Sequence, residues 1–284
     1  MQKGISVITS LKEMLNRDDI KNRFSRVLGS KAPQFMASLV NVVANSPALS
    51  KCNANSIMAA AFVAASFDLP IDANLGFAAI VPYAKNVKDP KTGNWEKVDI
   101  AQFQMMTRGF IQLGVRTGLY ERIYSSVVYE DEIVSYNPIT GECQFVNDFR
   151  STSQRRTGAK DKIAGFHAWF KLLSGYKQEF YMSKEEMIVH AKMYSSAYRY
   201  DLSSGKSVSP WSTNFEAMGK KTVTKQLLSH WGPLSVAMQK AIAEDQKTFD
   251  INGMSEYGDN RPDDPKNVVT LDVGNKVEDF DITK

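Results

Sequence analysis

Arg108, Gln112 and Arg116 stand four residues apart, so a helix over this stretch carries all three on one face. Lys221 and Lys225 repeat that spacing with Lys220 alongside, and Arg122 opens the apolar run after the first group. Like charges at helical spacing cost about 0.2–0.5 kcal/mol per pair, a cost that a bound anion offsets. Glu216, four residues before Lys220, is the alternative source of neutralisation. Aromatic residues interleave with these cations. YSSAYRY sets Tyr194, Tyr198, Arg199 and Tyr200 ahead of a polar stretch, and Trp211 follows it. Rings beside cations suit a stacked nucleobase with its phosphate neutralised. Tyr194 and Tyr198, at helical spacing, also fit a core, and Tyr194 fits it better. For Arg199, Tyr200 and Trp211 both roles stay open. Arg155, Arg156 and Lys160 lie in the basic segment DFRSTSQRRTGAKDK, which reads as a mobile loop.

Bond-breaking chemistry is harder to assemble. His167, His190 and His230 are widely separated, and none forms a zinc-binding pair. Gly205-Lys206-Ser207 resembles the end of a phosphate loop, but Tyr200 occupies the required first glycine position and the flanks are polar. Neither GxGxxG nor GxSxG occurs. Cys52, ahead of an alanine-rich run, reads as buried and inert. Glu130, Asp131 and Glu132 are adjacent acids, yet alternate strand residues face opposite ways, so at most two converge on one metal. They read as a solvated strand end, with a metal-dependent nuclease as the rival reading. A structural oligomer with an incidental basic face is a second rival.

The 284 residues are 43% apolar and 23% charged, which excludes collagen-like and largely disordered chains. No run approaches the ~18 apolar residues of a membrane span. The first residues are too polar for a signal peptide. Two distant cysteines point to a reducing cytosol. The net charge of +4 hides an asymmetry. Residues 250–284 hold nine acids against four bases, which leaves residues 1–249 at +9, the difference between +4 and −5. Residues 150–225 hold fourteen bases and six acids. A basic body suggests a polyanion, with nucleic acid first; an ordinary solvated surface is the other reading.

Three elements must position these groups. Residues 1–67 read as helices: one begins at Asp18 or Asp19 and stops at Gly29, one opens with Pro33, and one follows Asn53 or Asn55. Their apolar faces pack either between subunits or on the sheet of the same subunit. Residues 68–233 form an α+β core. A hairpin runs from about Gly76 to Gln104, with Lys85, Lys88, Lys91 and Lys97 near its tip. A helix ends at Gly118, strands follow in RIYSSVVYEDEIVSY, ECQFVND, KIAGFHAWFKLL and KQEFYMS, and SKEE at Ser183 is a capping box. Asp201–Pro210 reads as a loop and Trp211–Trp231 as the last helix of the core. Residues 234–284 read as a helix to Lys247, a linker and an acidic, poorly ordered tail.

Three stretches carry a resemblance: FDLPIDANLGFAAIVPY, QFQMMTRGFIQLGVRTGLYERI and PWSTNFEAMGKKTVTKQLLSHWGPLS, with VVYEDEI between the last two. Their order and spacing are similar to those of the RecT family of phage and prophage single-strand DNA annealing proteins, over roughly Ile20–Pro233. No family signature is seen after Ser235. The resemblance implies a twisted antiparallel sheet with a long hairpin backed by helices, similar to the fold of eukaryotic annealing proteins. It implies a homo-oligomer, as ring or helical filament, that binds single-stranded DNA and the annealed duplex in a basic groove. It implies annealing without ATP or any other cofactor, Mg2+ entering only with the DNA. A 5′→3′ exonuclease, the host single-strand-binding protein and a bacterial cytoplasm complete the setting. On the matching motifs, the phosphate contacts are Arg108, Arg116, Arg122, Lys220, Lys221 and Lys225; Arg155, Arg156 and Lys160 rest on charge alone. Gly109 and Gly118 either let backbone approach DNA or serve packing and capping.

Overall fold

The computed structural model describes residues 6–88, 94–146, 162–245, 247–249 and 255–257. Helices α1 (Val7–Asn16), α2 (Asp18–Leu28), α3 (Ala32–Ala44) and α4 (Ala54–Ser66) come first. The chain is α+β, with a helical N-terminal region and antiparallel sheets, as the sequence predicts. Asp18 and Asp19 lie in the first turn of α2, where its dipole favours acids, and not at the cap. Asn53 caps α4 by accepting from the Asn55 N–H at 2.8 Å. The small alanines of α4 let it approach strand β2 (Trp95–Met105) closely. Ser56 Oγ accepts from the Ala101 N–H at 2.8 Å, and the Asn53 N–H donates to the Asp99 carbonyl. Helix α4 therefore covers the hairpin of its own chain.

That hairpin pairs β1 (Ala78–Lys88) with β2 in unbroken antiparallel register, from Ala78 opposite Met105 to Lys88 opposite Trp95. Lys91 and the rest of its turn lie outside the described residues. Helix α5 (Thr107–Val115) follows. A Cβ on Gly109 would lie 2.2 Å from the Phe77 carbonyl, so this glycine serves helix-on-strand packing. Gly118 closes the turn after α5 with φ +71°.

A three-stranded antiparallel sheet, ordered β3 (Tyr120–Tyr129), β6 (Ile163–Leu172), β7 (Lys177–Ser183), forms the second layer. Two further strands, β4 (Ile133–Asn137) and β5 (Glu142–Phe145), make a small hairpin. The alternating residues Ile123, Val127, Phe166, Ala168 and Phe170 line the inner face of the large sheet and are buried. Helix α6 (Lys184–Tyr194) opens with the capping box, both reciprocal hydrogen bonds between Ser183 and Glu186 being formed. The predicted loop at Asp201–Pro210 is in part α7 (Ser196–Ser204), which Gly205 ends at φ +66°. The segment Gly205–Ser207 thus follows a helix and not a strand.

Asp201 explains the rest of that stretch. Its carboxylate accepts from the Val208 and Ser209 N–H groups and from the Ser212 hydroxyl at 2.6 Å. Burial alone would raise its pKa, but these donors pull it down to about 2. The expected single helix 211–231 is two: α8 (Pro210–Thr213), then α9 (Phe215–Trp231) after a break at Asn214. Helix α9 packs on the inner sheet face, where a Cβ on Gly219 would lie 2.4 Å from the Phe166 ring. Helix α10 (Val236–Glu244) is followed by short strands β8 (Lys247–Phe249) and β9 (Ser255–Tyr257), which the sequence reading lacks.

Candidate nucleic-acid interface

A cleft of about 690 Å³ opens between the β1–β2 hairpin and helices α6 to α10. Tyr83, Gln102 and Gln104 form one wall, His190, Tyr194 and Trp211 another, and Lys221, Lys225 and Asp245 the floor. The two lysines share a face of α9 through their four-residue spacing. Asp245 holds them. Its carboxylate lies 2.8 Å from Lys225 Nζ and 3.8 Å from Lys221 Nζ, and it accepts from the Met105 N–H at 2.8 Å. The acid side chain is 0% exposed, whereas those of Lys221 and Lys225 are 11% and 29% exposed. Burial alone would push the Asp245 pKa up. The ammonium groups of Lys221 and Lys225, with the hydrogen bonds from Lys225 and Met105, hold it below its ordinary value. With the carboxylate wholly buried and both lysines partly so, these charges interact more strongly than they would in bulk water.

His190 stands 4.6 Å from the Tyr194 ring and 6.3 Å from Trp211, centre to centre. Burial, aided by the Lys225 charge, lowers its pKa to about 4, so its imidazole is neutral near pH 7. Trp211 is 7% exposed, seated between His190, Tyr198 and Phe215.

The other predicted contacts are spread over the molecule. Arg116 donates to the Phe67 and Asp68 carbonyls at 2.6 and 2.9 Å, and Asp68 also pairs with Lys31 at 2.6 Å. Arg108 donates to the Leu75 carbonyl at 2.8 Å and lies over the Phe77 ring. Both arginines thus tie segment 67–77 to α5, and neither lines the cleft. Arg199 donates to the Lys192 and Met193 carbonyls and caps the end of α6. Tyr200 is 52% exposed, and Lys206 donates to its hydroxyl at 3.3 Å. Lys220 is half-buried on α9, its carbonyl accepting from Thr224 Oγ1. Arg122 lies on the outer face of the large sheet, away from the cleft. Arg155, Arg156 and Lys160 lie outside the described residues.

Sequence reasoning missed Asp245 and His190. The signal for Asp245 was the pair Lys221 and Lys225 itself: two cations at helical spacing call for a counterion. The rival nuclease site gains nothing from the geometry. Glu132 Oε2 is occupied as acceptor of the Tyr129 N–H, and among the described residues no three His, Cys, Asp or Glu gather as a metal site would need. His167 pairs with Glu179 at 3.2 Å, and burial keeps its pKa low. Burial, with Asp99 nearby, raises the Cys52 thiol to about 11; burial, with Glu179, raises Cys143 to about 12. Neither is a nucleophile at neutral pH. Among the described residues no helix is long and apolar enough to cross a membrane.

Comparison with known proteins places this geometry in context. The model of the RecT family matches residues 33–263, past the limit at Pro233 that the motifs suggest and through both terminal strands. An uncharacterized protein of Bacillus subtilis strain 168, YqaK, is 34% identical over 261 residues, covering 91% of this chain and 81% of that protein. Protein RecT of Escherichia coli K12 is 24% identical over 201 residues, covering 71% of this chain and 66% of that protein.

Proposed function

Because the chain belongs to the RecT family, with a general role in recombination, we propose that it binds single-stranded DNA in the cleft and anneals complementary strands without ATP. The observation that carries the reading is the Lys221–Asp245–Lys225 cluster: a wholly buried carboxylate fixes two ammonium groups in place in the cleft.

Annealing breaks no covalent bond, so it needs neither nucleophile nor general base. It needs phosphates neutralised, the strand held extended and the base edges left free. Lysines aimed at the backbone do this without reading sequence. The neutral His190 and the rings of Tyr194 and Trp211 supply flat, uncharged walls against which a sugar or base packs. Arg108 and Arg116 serve less directly, by holding segment 67–77 against α5. The working unit is a homo-oligomer, ring or filament, that also holds the annealed duplex. Mg2+ accompanies the DNA only. A 5′→3′ exonuclease supplies the single strand, the host single-strand-binding protein shares it, and the work takes place in the cytoplasm of a bacterium carrying the phage or prophage.

The test is the pairing rate of two complementary dye-labelled oligonucleotides, without ATP, across a salt series and with and without magnesium. The reading expects acceleration that fades with salt and strands of unchanged length. No acceleration by folded protein overturns it, and shortened strands favour a nuclease.

A further inference from the structure

The outer face of the large sheet carries a second cluster of rings and cations. Register places Tyr124 of β3 directly opposite Trp169 of β6, with ring centres 6.5 Å apart. The Arg122 guanidinium sits 5.7 Å from the Tyr124 ring centre and 5.5 Å from that of Trp169. Lys177 Nζ, from β7, is 5.7 Å from the Trp169 ring. Tyr124 is 46% exposed. Among the described residues the two nearby acids are already engaged: Glu121 with Lys171 at 2.7 Å, and Glu179 with His167 at 3.2 Å and Lys177 at 3.8 Å.

This face is opposite the one that α9 covers, because strand neighbours alternate between faces. The β4–β5 hairpin covers another part of it, with Phe145 against His167 and Tyr136 against Tyr181. Tyr124 and Arg122 stay open to solvent.

We propose that Arg122, Tyr124, Trp169 and Lys177 form a second platform for single-stranded DNA, one that takes the incoming complementary strand while the first occupies the cleft. The chemistry selects this occupant. Rings with a guanidinium or ammonium over them hold an unstacked base against the guanidinium plane or the free ring face while the cation meets its phosphate. A duplex keeps its base faces hidden within the stack and offers the rings nothing. The division of labour rests on the annealing function proposed above.

Both Arg122 and Tyr124 are exposed, so the double variant Arg122→Ala/Tyr124→Ala keeps the fold. With a labelled first strand already bound, it should keep first-strand affinity within about twofold yet pair the added complement about tenfold more slowly, the loss of one stacked base. Arg122→Lys/Tyr124→Phe, which keeps charge and ring, should restore most of the rate. Pairing at the parental rate overturns the platform, and so does an equal loss of first-strand affinity. A second measurement separates this from failure of the broader function. Light-induced crosslinking of an iodouracil oligonucleotide should label the peptides holding Tyr124 or Trp169 in the parent, even if the parent does not accelerate pairing. Absence of that label overturns the platform alone.

Discussion

Asp245 Oδ2 lies 2.8 Å from Lys225 Nζ, and the acid is wholly buried while 29% of the lysine side chain still faces solvent. The pair is therefore lopsided: one member is structural and the other reaches into the cleft. Asp245→Asn keeps an oxygen for the Met105 N–H but removes the carboxylate that both ammonium groups face. A loss of about 3 kcal/mol in a urea titration at pH 7 is expected. The pH dependence follows from the lowered pKa of Asp245. Its contribution is present above the ordinary carboxylate value of 3.8 and is lost as pH falls below it. The variant should lack that acid-side loss.

Lys225→Gln alone weakens the hold on a buried acid and confounds binding with folding. The double variant Lys225→Gln/Asp245→Asn replaces the ion pair by two amides and avoids this. Its single-strand binding should show a slope of log affinity against log salt about 0.7 shallower than the parent, the value of one lost phosphate contact. An unchanged slope, measured by fluorescence anisotropy, removes Lys225 from the DNA contact.

His190 titrates in the opposite sense to an ion-paired histidine. Its pKa falls from 6.5 to about 4 on folding. Stability from the neutral ring is complete above pH 6.5 and is lost as pH falls towards 4, by an amount of the order of 3 kcal/mol. His190→Gln should flatten the stability profile across that window, as read by urea midpoints at half-unit pH steps.

Gly109 and Gly118 distinguish contact from conformation. Gly109→Ala sets a methyl 2.2 Å from the Phe77 carbonyl, and backbone must move. A loss of about 2–3 kcal/mol is expected. Gly118→Ala meets no atom within 4 Å but sits at φ +71°, and should cost about 1 kcal/mol. Thermal melts of the two variants check the order.

Truncation tests the C-terminal boundary. The sequence places a linker and a poorly ordered tail beyond Lys247, but β9 at Ser255–Tyr257 in that stretch pairs with β8. A chain ending at residue 263 should melt and anneal like the parent. A chain ending at Glu244 loses Asp245 and should melt about 5–10 °C lower.

What was legible in the sequence was local. Asn53 and the Ser183–Glu186 box mark helix starts because the hydrogen bonds they make span two or three residues. The long hairpin was readable because its turn residues separate two runs of matching length. Helix α7 was hidden because it is polar and is anchored by Asp201 reaching forward to Ser209 and Ser212. The site was hidden for the same kind of reason on a larger scale. Met105 and Asp245 are 140 residues apart. Tyr124 and Trp169 meet only through strand register, across 45 positions whose spacing carries no such signal.

That separation has a consequence for biosynthesis. A growing chain emerges from its N-terminus, so Met105 and both lysines leave the ribosome before Asp245 does. Until then both lysines lack the Asp245 carboxylate. The carboxylate that fixes them arrives just after α10, and the acid-rich residues 250–284 follow it, so the basic body is made first and its counter-charges last.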